Sequence, residues 1–122
     1  MRVGVIGGRK IESLDIHEII PYIPAQCSEI VSGGAQGIDQ LAWKIAEELS
    51  VPLTEFFPDY EKYGRAAPVR RNQQIVDYSD LIIAVWDGES KGTRDTLIRA
   101  LKAGKAIKPV IVGRKSFSGQ SF

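Results

Sequence analysis

The sequence predicts an α/β fold, with five strands in one doubly wound, mostly parallel sheet of order 3-2-1-4-5 and helices on both faces. Short β-branched runs alternate with segments of helical period along the whole 122-residue chain, the pattern of parallel strands joined by crossover helices. The run Leu81-Ile82-Ile83-Ala84-Val85-Trp86 is apolar at every position, as a central strand covered on both faces must be. Right-handed connections that do not cross one another then leave 3-2-1-4-5 as the natural order. A ligand crevice is expected at the carboxyl ends of strands one and four, where the winding reverses.

The first strand runs from Arg2 to Ile6 and ends at Gly7-Gly8-Arg9. Leu14, Ile16, Ile19, Ile20 and Ile23 then trace one face of a helix capped by Ser13. That helix must stop near Pro21 to Pro24, because a proline withholds an N–H and crowds the preceding turn. The second strand, Ser28 to Ser32, runs into Gly33-Gly34-Ala35-Gln36-Gly37. A helix follows with Ile38, Leu41, Ala42, Ile45 and Leu49 in one apolar stripe. The third strand, Pro52 to Phe57, ends at Pro58, and the polar stretch from Asp59 to Pro68 reads as a loop before a helix from Val69 to Tyr78. After the fourth strand come Asp87-Gly88-Glu89-Ser90-Lys91-Gly92-Thr93, a helix through Leu101 closed by Gly104, and a last strand from Lys108 to Val112. Pro109 assigns that strand to an edge, where a missing donor is tolerated. Residues 1–112 thus form a single domain and 113–122 a C-terminal tail.

Composition sets the broad class. An apolar fraction of 43% with 25% charged residues is that of a soluble globular protein. Sixteen Lys and Arg against fifteen Asp and Glu give a net charge of +1, too weak a field for a dedicated DNA binder. Cys27 is the one cysteine, so an internal disulfide is excluded and a reducing compartment fits. With no signal-peptide or membrane-spanning run, the cytoplasm is the expected location and no membrane partner is expected. His17 and Cys27 cannot make a zinc site between them, and no metal or resident cofactor is expected.

Three of the four strand-to-helix loops are glycine-rich and fall at the carboxyl edge of the sheet. Such loops admit a ligand to backbone N–H groups, and the following helix end adds open donors and a dipole suited to an anion. Gly33, Gly34 and Gly37 form one such loop, and Gly88, Ser90, Lys91, Gly92 and Thr93 another, with Gly7, Gly8 and Arg9 beside them. Phosphate or a nucleotide is the implied ligand. The letters of Ser90-Lys91-Gly92-Thr93 are in the wrong order for a P-loop. Gly4, Gly7 and Gly8 lack the dinucleotide-fingerprint spacing, and no acidic residue ends the second strand to take a ribose diol. Arg70 and Arg71 open the third helix near the same edge, and either reaches a phosphate bidentately. Asn72 beside them either ties down a loop or touches ligand. Trp86 is a core residue or a platform for a base, and Asp39 suits the dipole of its helix.

These residues carry a resemblance. Val31-Ser32-Gly33-Gly34-Ala35-Gln36-Gly37-Ile38-Asp39 with Ala42 resembles the "SG-x-A-x-GID…A" signature of the DNA-processing protein A (Smf/DprA) family. Arg70-Arg71-Asn72-Gln73-Gln74-Ile75 and Ser79-Asp80 look like that family's "RRN-x-x-I…SD". The Gly92-Thr93 turn is also similar to that of the Lonely Guy phosphoribohydrolases. The chain therefore resembles the SLOG superfamily of Rossmann-like proteins, most nearly its small stand-alone YspA/YpsA-like branch, where "W-DG-x-S-x-GT" matches Trp86 to Thr93. The resemblance covers residues 2–112 and implies a Rossmann-like domain that binds nucleotides or nucleotide-derived ligands.

In the Lonely Guy pattern "PGG-x-GT-x-x-E", Thr96 falls on the glutamate and Asp95 lies one position away. The leading expectation is thus binding of a phosphorylated nucleoside or NAD-derived nucleotide, with a sensing role. The alternative is a phosphoribohydrolase or N-glycosidase with Asp95 or Glu89 as its carboxylate. A second alternative is a non-catalytic homodimer, with Trp43 off the apolar stripe as its contact.

Overall fold

The computed structural model describes residues 1–8, 14–34 and 37–112. Strands β1 (Arg2–Gly7), β2 (Glu29–Ser32), β3 (Leu53–Glu55), β4 (Leu81–Trp86) and β5 (Ala106–Ile111) form one parallel sheet. Its order is β3-β2-β1-β4-β5, the predicted one. Register sorts the side chains between two faces: Val3 lies opposite Ile30 and Leu81, and Gly4 opposite Val31 and Ile82. Val3, Val5, Ile30, Ile83 and Val85 point to one face, where helix α1 (Ile38–Leu49) covers them. Ile6, Val31, Ile82 and Ala84 point to the other, under α3 (Ala67–Tyr78) and α4 (Lys91–Lys102). Both faces of β4 are therefore dry, which is why its sequence shows no alternation.

Helix α1 buries Ile38, Leu41, Ala42, Ile45 and Ala46 and leaves Trp43 57% exposed, as its stripe dictates. Each isoleucine so buried contributes about 1.5–3 kcal/mol relative to exposure. Pro109 does lie in an edge strand, since β5 pairs with β4 alone. Where α3 crosses β1 the approach is close, and a Cβ on Gly4 would lie 2.9 Å from both Ile82 Cδ1 and Ser79 Oγ. No helix among the described residues is long and apolar enough to cross a membrane.

The expected helix from Leu14 to Ile23 does not form. Two 3₁₀ turns, Ile16–Glu18 and Ile20–Tyr22, stand in its place, so three long crossover helices replace the expected four. Pro21 has no N–H to bond back to His17 and its ring would strike that carbonyl. The cap is Asp15, which accepts from the His17 N–H at 2.9 Å, and the expected cap Ser13 lies outside the described residues. The apolar spacing still serves, because a turn of three residues also returns Ile16 and Ile19 to one side, and Ile20 and Ile23 pack on the same core.

The stretch expected as a loop after Pro58 is ordered as a one-turn helix, α2 (Tyr60–Tyr63), and a 3₁₀ turn, Gly64–Ala66. Asp59 caps α2 by accepting from the Lys62 N–H at 3.1 Å. Pro68 then sits in the first turn of α3, where a proline costs no hydrogen bond.

Candidate functional site

A cavity of about 520 Å³ opens at the carboxyl ends of β1 and β4, the switch point of the winding. Ile6, Gly7 and Gly8 of β1 and its end form the floor, and Gly33 and Ile38 one side. Helix α3 contributes Arg71, Asn72 and Ile75. The turn after β4 contributes Asp87, Glu89, Ser90 and Gly92, and α4 adds Thr93 and Thr96. Of the residues expected from the sequence, the structure brings Gly7, Gly8, Gly33, Asn72, Glu89, Ser90, Gly92 and Thr93 to this cavity. Arg9 lies outside the described residues.

The turn before α4 is held by its own side chains. Asp87 Oδ1 accepts from the backbone N–H groups of Glu89 (2.8 Å) and Ser90 (2.9 Å). The Trp86 indole N–H donates to the Ser90 carbonyl at 3.1 Å, so this ring pins the turn. Gly88 takes a positive φ of 86° to close it. Ser90 caps α4, its Oγ accepting from the Thr93 hydroxyl at 3.2 Å. Thr96, on the crevice side, donates to the Gly92 carbonyl at 3.0 Å. Among the described residues nothing bonds to the amides of Lys91 and Gly92, which stay open at the helix N-terminus. The Lys91 side chain is exposed and outside the cavity lining.

The opposite wall is Arg71, a half-buried residue. Its Nη1 donates to the Gly33 carbonyl and its Nε to Asn72 Oδ1 at 3.0 Å. Asn72 is only 6% exposed, and its Nδ2 donates to Asp95 Oδ2 at 3.0 Å, which also receives Arg99 Nε at 2.8 Å. Burial pushes the Arg71 guanidinium down from its ordinary value, with the nearby Tyr60 phenol acting in the opposite sense, and it remains a cation at neutral pH. No carboxylate pairs with it among the described residues.

Arg70 points elsewhere, its guanidinium 5.3 Å from the Tyr63 ring centre on the outer side of α3. Asp95 lies in the outer groove between α3 and α4 and does not line the crevice. Burial raises its carboxyl, but hydrogen bonds from Arg99 and Asn72 outweigh it and hold the group below the usual range. Gly34 (φ 69°) and Gly37 (φ 81°) shape the loop after β2 without lining the cavity. The phase of α3 identifies Arg71 over Arg70. Arg71 stands four residues before Ile75 on the inward stripe, and Arg70 falls off it.

At the ends of β2 and β3, the Ser32 hydroxyl donates to Asp39 Oδ1 at 3.3 Å. Glu55 lies against the same carboxylate. A hydrogen bond between Glu55 and Asp39, with burial and like charge, pushes the Glu55 carboxyl up to about 7. Elsewhere, Cys27 Sγ contacts the Glu29 carbonyl at 3.6 Å and burial raises its thiol, the environment of a structural cysteine. His17 pairs with Asp15 at 2.9 Å on the surface. The described residues hold no cluster of three or more metal-ligating side chains.

Comparison with known protein families, curated proteins and solved structures finds no match to this chain.

Proposed function

We propose that the crevice binds the phosphate of a phosphorylated nucleoside or NAD-derived nucleotide, as a binding or sensing site of the SLOG kind. Arg71 carries this reading. A half-buried guanidinium without an anionic partner among the described residues is costly, and an anion in the crevice would complete it. The guanidinium fork suits phosphate geometry. On the opposite wall the open amides of Lys91 and Gly92 and the dipole of α4 favour the same charge. Asp87 lines the crevice too, but its Oδ1 is committed to the turn's own amides. Glu89, exposed at the rim, is an acceptor suited to sugar hydroxyls.

The test is calorimetric titration of the protein with nucleoside mono- and diphosphates, alongside mass spectrometry of small molecules released on denaturation. Arg71→Met is expected to weaken binding by about 10- to 150-fold, the worth of hydrogen bonds to a charged group. Lys44→Met, on the exposed face of α1 and outside the crevice lining, should bind as the native protein does. Gly92→Val should abolish binding yet stay folded, since a Cβ at Gly92 meets nothing within 4 Å. Absence of any nucleotide binding, or equal affinity in the Arg71→Met and Gly92→Val variants, overturns the assignment.

A further inference from the structure

Beside the crevice, between β3 and α3, lies a second hollow of about 240 Å³, and Arg71 lines both. Its walls are unusual for a solvated surface. Among its lining residues, Phe57 is 60% exposed. The ring packs so closely on Gly34 that a Cβ there would run into it. Cations surround the aromatics: Lys62 Nζ lies 5.2 Å and the Arg70 guanidinium 5.3 Å from the Tyr63 ring centre. Glu55 and Gln74 add hydrogen-bonding groups to the same hollow.

We infer that this hollow takes the planar base of the ligand, stacked on Phe57, with the phosphate on the far side of Arg71 in the crevice. The inference rests on the phosphate reading above and narrows it: the ligand is a nucleotide and not a sugar phosphate. Every base has a π-face, so the ring supplies affinity with little discrimination. Glu55 and Gln74 are placed to read the base edge. The shared Arg71 couples the two halves, since its guanidinium can bond a phosphate while its plane borders the aromatic hollow.

The experiment titrates the full chain with adenosine and guanosine 5′-monophosphates, with ribose 5-phosphate and with oligothymidylate, in the native protein, Phe57→Ala and Phe57→Trp. Stacking predicts that Phe57→Ala weakens nucleotide binding by about 5- to 150-fold and leaves ribose 5-phosphate within about twofold. Phe57→Trp should retain nucleotide affinity, with its fluorescence quenched on binding. Both variants should fold, because the ring is more exposed than buried, and circular dichroism checks this. Equal loss for nucleotide and ribose 5-phosphate, or no loss for either, overturns the base subsite and leaves the phosphate reading standing. If the native protein binds neither compound, the phosphate reading fails and takes the subsite with it. Tighter, Phe57-dependent binding of oligothymidylate overturns the mononucleotide assignment in favour of single-stranded nucleic acid.

Discussion

Replacing Asn72 by alanine tests whether the crevice wall is held from behind. Asn72 is 6% exposed and makes two hydrogen bonds of 3.0 Å, accepting from Arg71 and donating to Asp95. A hydrogen bond to a charged group is worth about 1.5–3 kcal/mol. Both partners reach solvent, so water recovers part of each loss, and the net cost should be about 2–3 kcal/mol. For a domain of this size that lowers Tm by roughly 8–12 °C. Urea unfolding followed by circular dichroism measures it. A double-mutant cycle with Asp95→Ala should give a coupling of about 1 kcal/mol. Nucleotide affinity should fall in Asn72→Ala even though the side chain carries no charge, because Arg71 loses the acceptor that orients it. Additive stabilities together with native affinity would refute the idea that this bond chain positions the arginine.

Three further outcomes follow from local features. Ser79 Oγ is buried beside Gly4 with no hydrogen-bond partner among the described residues, so Ser79→Ala should stabilise the protein by about 1 kcal/mol in urea unfolding; a loss of stability would mean that the hydroxyl is satisfied. Gly34→Ala should cost about 2 kcal/mol, from its left-handed backbone (φ 69°) and its contact with Phe57; in a Phe57→Ala background only the backbone part should remain. Glu55 binds its proton more tightly folded (about 7) than unfolded (4.5), so its contribution to stability is full below pH 4.5 and is lost as pH rises through 7. Unfolding at pH 5 and 8 should show a decline of order 1 kcal/mol after solvent screening, flattened in Asp39→Asn and in Glu55→Gln.

The sheet was legible because its signals are redundant. Strand order follows from β-branched runs, a wholly apolar β4 and chirality, and no single residue could have changed it. Local boundaries failed where two rules competed. In the segment from Leu14 to Ile23, apolar spacing argued for a helix and two prolines argued against it, and the backbone constraint prevailed while the side chains kept their inward faces. The glycine loops marked the edge of the sheet where the cavity opens. They could not distinguish glycines that line the cavity, such as Gly33 and Gly92, from those that only turn the chain, such as Gly34 and Gly88. Trp86 shows the limit most clearly, since placing an indole beside a crevice says nothing of where its N–H will go until the Ser90 carbonyl is located. The Asp39 and Glu55 pairing was hidden because it joins residues sixteen apart through neighbouring strand ends.

Both walls of the crevice are tied down by hydrogen bonds within the protein. Asp87 Oδ1, the Trp86 indole and the Ser90 hydroxyl bond within the turn itself, and the amides of Lys91 and Gly92 have no partner among the described residues. Arg71 is tied to β2 through Gly33 and to α4 through Asn72 and Asp95. Little ordering is then needed on binding, and recognition depends on fixed donors at contact distance. The net charge of +1 supplies almost no long-range field. These facts fix the salt dependence. Contacts to a half-buried arginine and to backbone amides are screened far less than surface charges beyond a Debye length of about 8–10 Å. Raising the salt from about 0.05 M to about 0.3 M should therefore weaken nucleotide binding only severalfold, measured as Kd at constant pH. A fall of orders of magnitude over that range would place the anion on exposed lysines and arginines instead, and would remove Arg71 from its role.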